Sequence, residues 1–267
     1  MIPLFDSLAH PTLTGSWINK NLNASFSKLI TDMKKANYVA ACAVGLSGIE
    51  GYDHKFFIEE CKKYDCFIPV AGIDPKKSIE DLETEISYVA KLGFKGVKIH
   101  PRNAGIKLDY KTLPDILKFT KENNLVTMLC TYSHSALSLY PDFDPFYSLV
   151  KLLKTESDAK VILLHGGDVN LLKYAELVRK NPNLILDLSY TIMRYENSSI
   201  DLDIKFLLSD LDRRVCIGTD YPEYSHEALR RRFEKLSLEI SWEKLENIGF
   251  KNLQSFFNCK LRVEVNG

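Results

Sequence analysis

Residues 78–101, SIEDLETEISYVAKLGFKGVKIHP, contain one complete structural unit. Ile79, Leu82, Ile86 and Val89 recur at spacings of three and four, with Glu and Asp between them. That period lays an apolar stripe along a helix, and Gly93 supplies its stop. The short run at residues 96–100 follows, compact and apolar except for Lys98 and His100 at its end. Such a run reads as a strand buried on both faces. One helix leading into one buried strand, with chemistry-bearing side chains at the strand's end, is the unit on which the fold depends.

The same alternation runs through the whole chain. Apolar runs occur at residues 2–8, 38–46, 67–73, 96–100, 125–131, 161–165, 184–188 and 215–218. Helical spacing fills the intervals, as at residues 112–124, 144–157, 171–182 and 200–212. Eight strands, helices between them and no linker predict an α/β fold, a single (β/α)8 TIM barrel over residues 1–267. Residues 241–257, SWEKLENIGFKNLQSFF, read as an extra C-terminal helix or two packed on the barrel. A doubly wound open sheet is the alternative. It would more often carry a Gly-rich phosphate loop after the first strand, and residues 5–17, FDSLAHPTLTGSW, have none.

Composition narrows the function classes. The chain has 267 residues, 45% of them hydrophobic, which supports a sizeable core. Thirty-five basic residues balance 35 acidic ones, so no global charge points to nucleic acid or an anionic membrane as partner. The dense basic run Arg230, Arg231 and Arg232 reads as a solvated helix face. The opening MIPLF is too short for a signal peptide, and no stretch has transmembrane length. Cys42, Cys130 and Cys216 lie in apolar runs, while Cys61 and Cys66 lack the second pair of a zinc knuckle. The expectation is a reduced, cytoplasmic protein.

In barrels of this kind the working groups gather at the C-terminal strand ends. His10, Lys98, His100, Cys130, His165, Tyr190 and Asp220 all stand at or just past such ends, with Arg102, Tyr132 and His134 close behind. His54, which follows the long second loop, and His226 are the doubtful cases of that pattern. A lone histidine there is more often a satisfied core group than a ligand, but four with an aspartate argue for a shared pocket. In the first strand, FDSLAHPT at residues 5–12, Asp6, Leu8 and His10 alternate, which predicts that all three face one way. Two other motifs fare worse. GLSGIEG at residues 45–51 misses the nucleophile elbow because position 49 is Ile. A Cys130–His134 nucleophilic pair is disfavoured by the apolar run around the thiol.

Taken together, the strand ends resemble the amidohydrolase superfamily, and within it the branch of small barrels containing pyrone dicarboxylate lactonases and carboxymuconate semialdehyde decarboxylases. The resembling stretches are FDSLAH, GFKGVKIHP, VILLHGG, GTDYP and NIGFKNLQSFF, in that order along nearly the whole chain. The resemblance makes His10 the second histidine of a first-strand Asp-x-His-x-His motif, His165 the strand-six histidine and Asp220 the strand-eight aspartate. It implies metal binding, proton abstraction from water, or both, for Asp220. Leu8 stands in place of the motif's first histidine, and Cys130 in place of a strand-five histidine. The implied metal set is therefore depleted to His10, His165 and Asp220, with Cys130 as a further ligand. Zinc is the first choice if a divalent ion binds at all.

Three functional readings follow. The first is a hydrolase acting on a small carboxylated, lactone or amide metabolite, with Asp220 activating water and His10 and His165 assisting. Lys98, His100, Arg102, His134 and Tyr190 would then bind the substrate. The second is a zinc-dependent amidohydrolase with an altered site. The third is a non-catalytic barrel that binds a metabolite or a partner. A small molecule is the expected ligand in each enzymatic case, and the oligomeric state is left open.

Overall fold

The structure, a computed structural model, describes residues 1–132 and 144–260. Eight strands form one parallel sheet in sequential order: β1 (Leu4–Ala9), β2 (Tyr38–Val44), β3 (Phe67–Gly72), β4 (Gly96–Ile99), β5 (Val126–Cys130), β6 (Val161–Leu164), β7 (Leu184–Asp187) and β8 (Val215–Cys216). The last strand returns to the first. Ser7 N–H donates to Ile217 O at 3.0 Å and His10 N–H to Tyr221 O at 2.8 Å, closing the (β/α)8 barrel.

Helices α1 (Phe26–Lys35), α2 (His54–Cys61), α3 (Ile79–Leu92), α4 (Pro101–Ala104), α5 (Leu113–Glu122) and α6 (Pro145–Thr155) accompany the first half. The second half adds α7 (Leu171–Arg179), α8 (Thr191–Arg194), α9 (Ile200–Asp210), α10 (His226–Leu236), α11 (Trp242–Glu246) and α12 (Asn252–Phe256). The unit that opened the sequence reading forms as expected. Ser78 Oγ accepts from Asp81 N–H at 3.1 Å to cap α3. Gly93 ends that helix at φ 105°, a left-handed conformation that suits a residue without Cβ. Leu82, Ile86 and Val89 are fully buried, whereas Ile79, the first residue of the expected stripe, is 43% exposed in the first turn of the helix.

The expected C-terminal helix is two short helices, α11 and α12, joined by a wider turn at Asn247–Lys251. It packs against β1 and β8 at the end where the strands begin. Asn252 Nδ2 donates to Asp212 O at 2.6 Å and Val215 O at 2.7 Å, tying the closing helix to the start of β8. Among the described residues no helix is long and apolar enough to cross a membrane.

The arginine run corrects one expectation. Arg230 and Arg232 are buried, and only Arg231, paired with Glu227 at 2.6 Å, stands on a solvated face. The Arg230 guanidinium donates to Ala36 O at 3.0 Å, Ile2 O at 2.7 Å and Asn37 O at 2.8 Å. Arg232 donates to Ile192 O at 3.1 Å and to Asp201. Backbone carbonyls left over where helices and strands end need donors, and a guanidinium presents several in one plane. The run staples α10 to the barrel.

The first strand corrects another. Between Asp6, opposite Ala41, and Ala9, opposite Ala43, β1 holds one residue more than β2. That irregularity breaks strict alternation, so Asp6, Leu8 and His10 do not share one surface. Asp6 Oδ1 accepts from Thr219 N–H at 2.9 Å and Leu8 N–H at 3.1 Å, and its Oδ2 accepts from Thr219 Oγ1 at 2.5 Å. His226 Nε2, at the start of α10, lies 2.9 Å from the same Oδ2. Asp6 therefore serves the β1–β8 seam.

Candidate active site

A cavity of about 190 Å³ opens at the C-terminal ends of the strands. His10 after β1, Lys98 and His100 at β4, Arg102 in α4, His165 after β6, Tyr190 after β7 and Asp220 after β8 all line it. Residues far apart in the chain meet because each β strand delivers its end to one rim. Cys130 does not line this cavity, and burial pushes its thiol up, away from the reactive thiolate form. His134 lies outside the described residues.

Both histidines are aimed by their Nδ1 atoms. His10 Nδ1 lies 2.8 Å from Val44 O and His165 Nδ1 lies 3.1 Å from Ser189 O. A carbonyl only accepts, so each Nδ1 carries the proton and each Nε2 keeps its lone pair. Burial holds both imidazoles well below the ordinary histidine range, with the nearby Lys98 cation acting the same way; for His165 the result is about 3. They are neutral at physiological pH. The 3.6 Å approach of His10 Nε2 to Asp220 Oδ1 is accordingly a contact between a neutral ring and a carboxyl group. His100 is pushed down to about 2 by burial, then by Lys98 and Arg102.

The loop after β6 explains why the sequence reads HGGD there. His165, Gly166, Gly167 and Asp168 all have positive φ, at 65°, 60°, 75° and 60°. Two glycines make most of that path inexpensive, and a Cβ on Gly167 would sit 2.2 Å from the Tyr174 ring. Beneath the turn, Asp187 accepts from the hydroxyls of Ser7 and Ser189 and from His165 N–H at 3.2 Å. This buried network anchors the backbone that carries His165.

Asp220 is pushed up to about 7. Burial is the main cause. Lys98 opposes it, and the charges of Asp187, Glu223 and Asp6 reinforce it. Asp220 also adopts φ 53° and Tyr190 φ 63°, so three cavity residues hold strained backbones, as functional positions often do.

Two basic side chains, Lys98 and Arg102, face these groups. Lys98 is 1% exposed, and its Nζ has no hydrogen-bond partner among the described residues. Burial lowers its pKa, while Cys130, Asp220 and Asp187 pull it back up. Arg102 lies over the Tyr132 ring, 4.8 Å from its centre. The positive side of the cavity thus sits at β4 and α4, opposite Asp220 at β8.

Trp17 and Glu223 also line the cavity and escaped the sequence reading. Trp17 stacks on His10 with ring centres 5.5 Å apart and planes at 16°. Its Nε1 donates to Glu223 Oε1 at 2.7 Å. Both lie in loops just after strand ends already singled out, so reading those loops to their full length would have raised them. His54 and His226 stay outside the cavity: His54 Nε2 pairs with Glu85 at 2.9 Å beside α3, and His226 faces Asp6.

The metal set implied by the family resemblance is not reproduced. Among the described residues no group of three or more His, Cys, Asp or Glu side chains is arranged to hold a metal ion. Leu8 is fully buried and does not line the cavity. His10, His165 and Asp220 therefore do not fit a metal as arranged, and no step below is routed through one.

No family model matches the chain, and no curated protein does. Solved structures do. An uncharacterised TIM-barrel protein from Bordetella bronchiseptica matches with a TM-score of 0.81 at 18% identity, over 96% of this chain and 99% of that one. A Pseudomonas putida protein assigned as a 2-pyrone-4,6-dicarboxylic acid hydrolase matches at TM-score 0.68 and 14% identity, over 97% and 98%. A dihydroxybenzoic acid decarboxylase from Polaromonas, solved with manganese and an inhibitor, matches at TM-score 0.70 and 14% identity, over 97% of each chain. Likeness at such identities establishes architecture, since one barrel hosts many chemistries. The chain is a (β/α)8 barrel, and the solved structures it resembles include proteins described as a 2-pyrone-4,6-dicarboxylic acid hydrolase and a dihydroxybenzoic acid decarboxylase.

Proposed function

We propose that the chain is a hydrolase acting on a small carboxylated metabolite with a lactone or amide bond, and that Asp220 is its base. The observation that carries this reading is a carboxyl group pushed up to about 7, facing two neutral histidines and the basic side chains of Lys98 and Arg102 across one cavity. A base works best when its pKa lies near the working pH.

A water molecule between Asp220, His10 Nε2 and His165 Nε2 would find three acceptors and give its proton to Asp220. Its oxygen would attack the carbonyl carbon, and the Lys98 amine and Arg102 guanidinium would donate to the developing oxyanion or to the substrate carboxylate. Collapse breaks the acyl bond, and the proton on Asp220 passes to the departing oxygen or nitrogen. Trp17 holds the His10 ring in plane, and Tyr190 and His100 line the remaining wall.

The neighbours support the substrate class, because one is assigned to a pyrone dicarboxylic acid and another to an aromatic acid. Hydrolysis of a panel of carboxylated lactones and amides tests the proposal. Turnover by the parent protein and a loss of about 10²–10⁴-fold in kcat/KM for Asp220→Asn is the expected result. Turnover unchanged in that variant removes Asp220 as the base.

A further inference from the structure

We propose that Lys98 Nζ is a second reactive centre of this cavity, a nucleophile that condenses with the carbonyl carbon of a small 2-oxo carboxylate to form an imine. The inference goes beyond the hydrolytic reading and needs no activated water.

Lysine ammonium groups are strongly hydrated, and a buried one ordinarily sits against a carboxylate or several carbonyls. Lys98 is 1% exposed, and its Nζ has no hydrogen-bond partner among the described residues. Its side chain nevertheless lines the 190 Å³ cavity and also an adjoining one of about 150 Å³ between the ends of β2, β3 and β4. With no hydrogen-bond partner among the described residues and a side chain on the wall shared by two cavities, the buried amine is placed to meet a ligand that enters either one. Desolvation beside a second cation is a recognised way to keep a lysine amine neutral and nucleophilic, and Arg102 is such a cation on the same wall.

The remaining parts of the reaction are present. The Arg102 guanidinium offers the fork that a carboxylate accepts. The Nζ lone pair attacks the ketone carbon, the C=O π bond opens onto oxygen, which takes a proton from solvent, and Asp220 takes the proton that nitrogen releases. Protonated Asp220 then gives that proton to the carbinolamine hydroxyl, which leaves as water while the nitrogen lone pair completes the C=N bond. The resulting iminium withdraws electrons from the neighbouring carbon, so a C3 proton can pass to Asp220 and be replaced from solvent. No oxidant, reductant or metal enters the balance.

Incubation with pyruvate and sodium cyanoborohydride, followed by peptide mass mapping, tests the proposal. The expected result is a saturable, near-stoichiometric reduced pyruvyl adduct on Lys98, absent from Lys98→Arg. Asp220→Asn should slow trapping at Lys98 by about tenfold or more. Exchange of the pyruvate methyl protons in heavy water, followed by proton NMR, should require both residues. Adducts confined to exposed lysines, or methyl exchange equal to that of a protein-free control, would overturn it. If Lys98→Arg does not fold, the mapped adduct on the parent protein and its dependence on Asp220 decide the matter. Failure of trapping with lactone hydrolysis intact rejects the imine alone, and the converse rejects the hydrolase alone.

Discussion

At Asp220, burial and neighbouring carboxylates raise the carboxyl group to about 7 from its ordinary value near 3.8. The stability consequence has a definite sign. Between those two values the folded protein holds a proton that the unfolded chain has lost, so stability is fullest below about pH 4 and declines as pH rises through 7. Asp220→Asn removes this dependence. In urea titrations the variant should match the parent at low pH and exceed it at pH 8, by on the order of a few kcal/mol. Activity should move the opposite way, with kcat/KM of the parent rising through an apparent pKa near 7 and the variant showing no such limb. Trp17 makes a second residue-scale case. Trp17→Ala should lower kcat/KM by about tenfold, because the His10 ring loses its stacked neighbour and Glu223, whose charge acts on Asp220, loses its indole donor.

Among the elements, the loop after β6 and helix α10 carry the clearest structural debts. Gly167→Ala would place a methyl group 2.2 Å from Tyr174 in a left-handed conformation, and a loss of about 2–4 kcal/mol in denaturant unfolding is expected. The same change should reduce activity, since His165 begins the turn. Arg230→Met would remove the guanidinium donors from three carbonyls at the opposite end of the barrel, leaving, among the described residues, only Asn37 O with another donor, Leu4 N–H. A comparable loss of about 2–4 kcal/mol is expected there, with kcat/KM of the folded protein unchanged. The helices themselves were readable, because a stripe of apolar residues with a capping serine and a terminal glycine is local information. The buried arginines were not. A charge run looks the same whether it meets water or leftover carbonyls, and only the packing of α10 against β1 and α1 distinguishes the two.

For the whole molecule, closure of the barrel rests on a seam between the first and last strands, and Asp6 is its polar pin. Asp6→Leu should leave Thr219 N–H and Leu8 N–H without their acceptor and cost about 3–5 kcal/mol, with amide exchange rising first along β1 and β8. The sequence by itself determined the order of eight strands and their helices, and the strand ends at which His10, Lys98, His100, His165, Tyr190 and Asp220 stand. Those features are written in hydrophobic period and in position along each unit, both of which are local. Only the tertiary structure decided which of them share a cavity, that Trp17 reaches Glu223 206 residues away, and that Asp6 leaves the site for the seam. It also decided that the Lys98 amine has no hydrogen-bond partner among the described residues. Burial, register and charge environment are properties of what surrounds a side chain, and for these residues the surroundings arrive from distant parts of the chain.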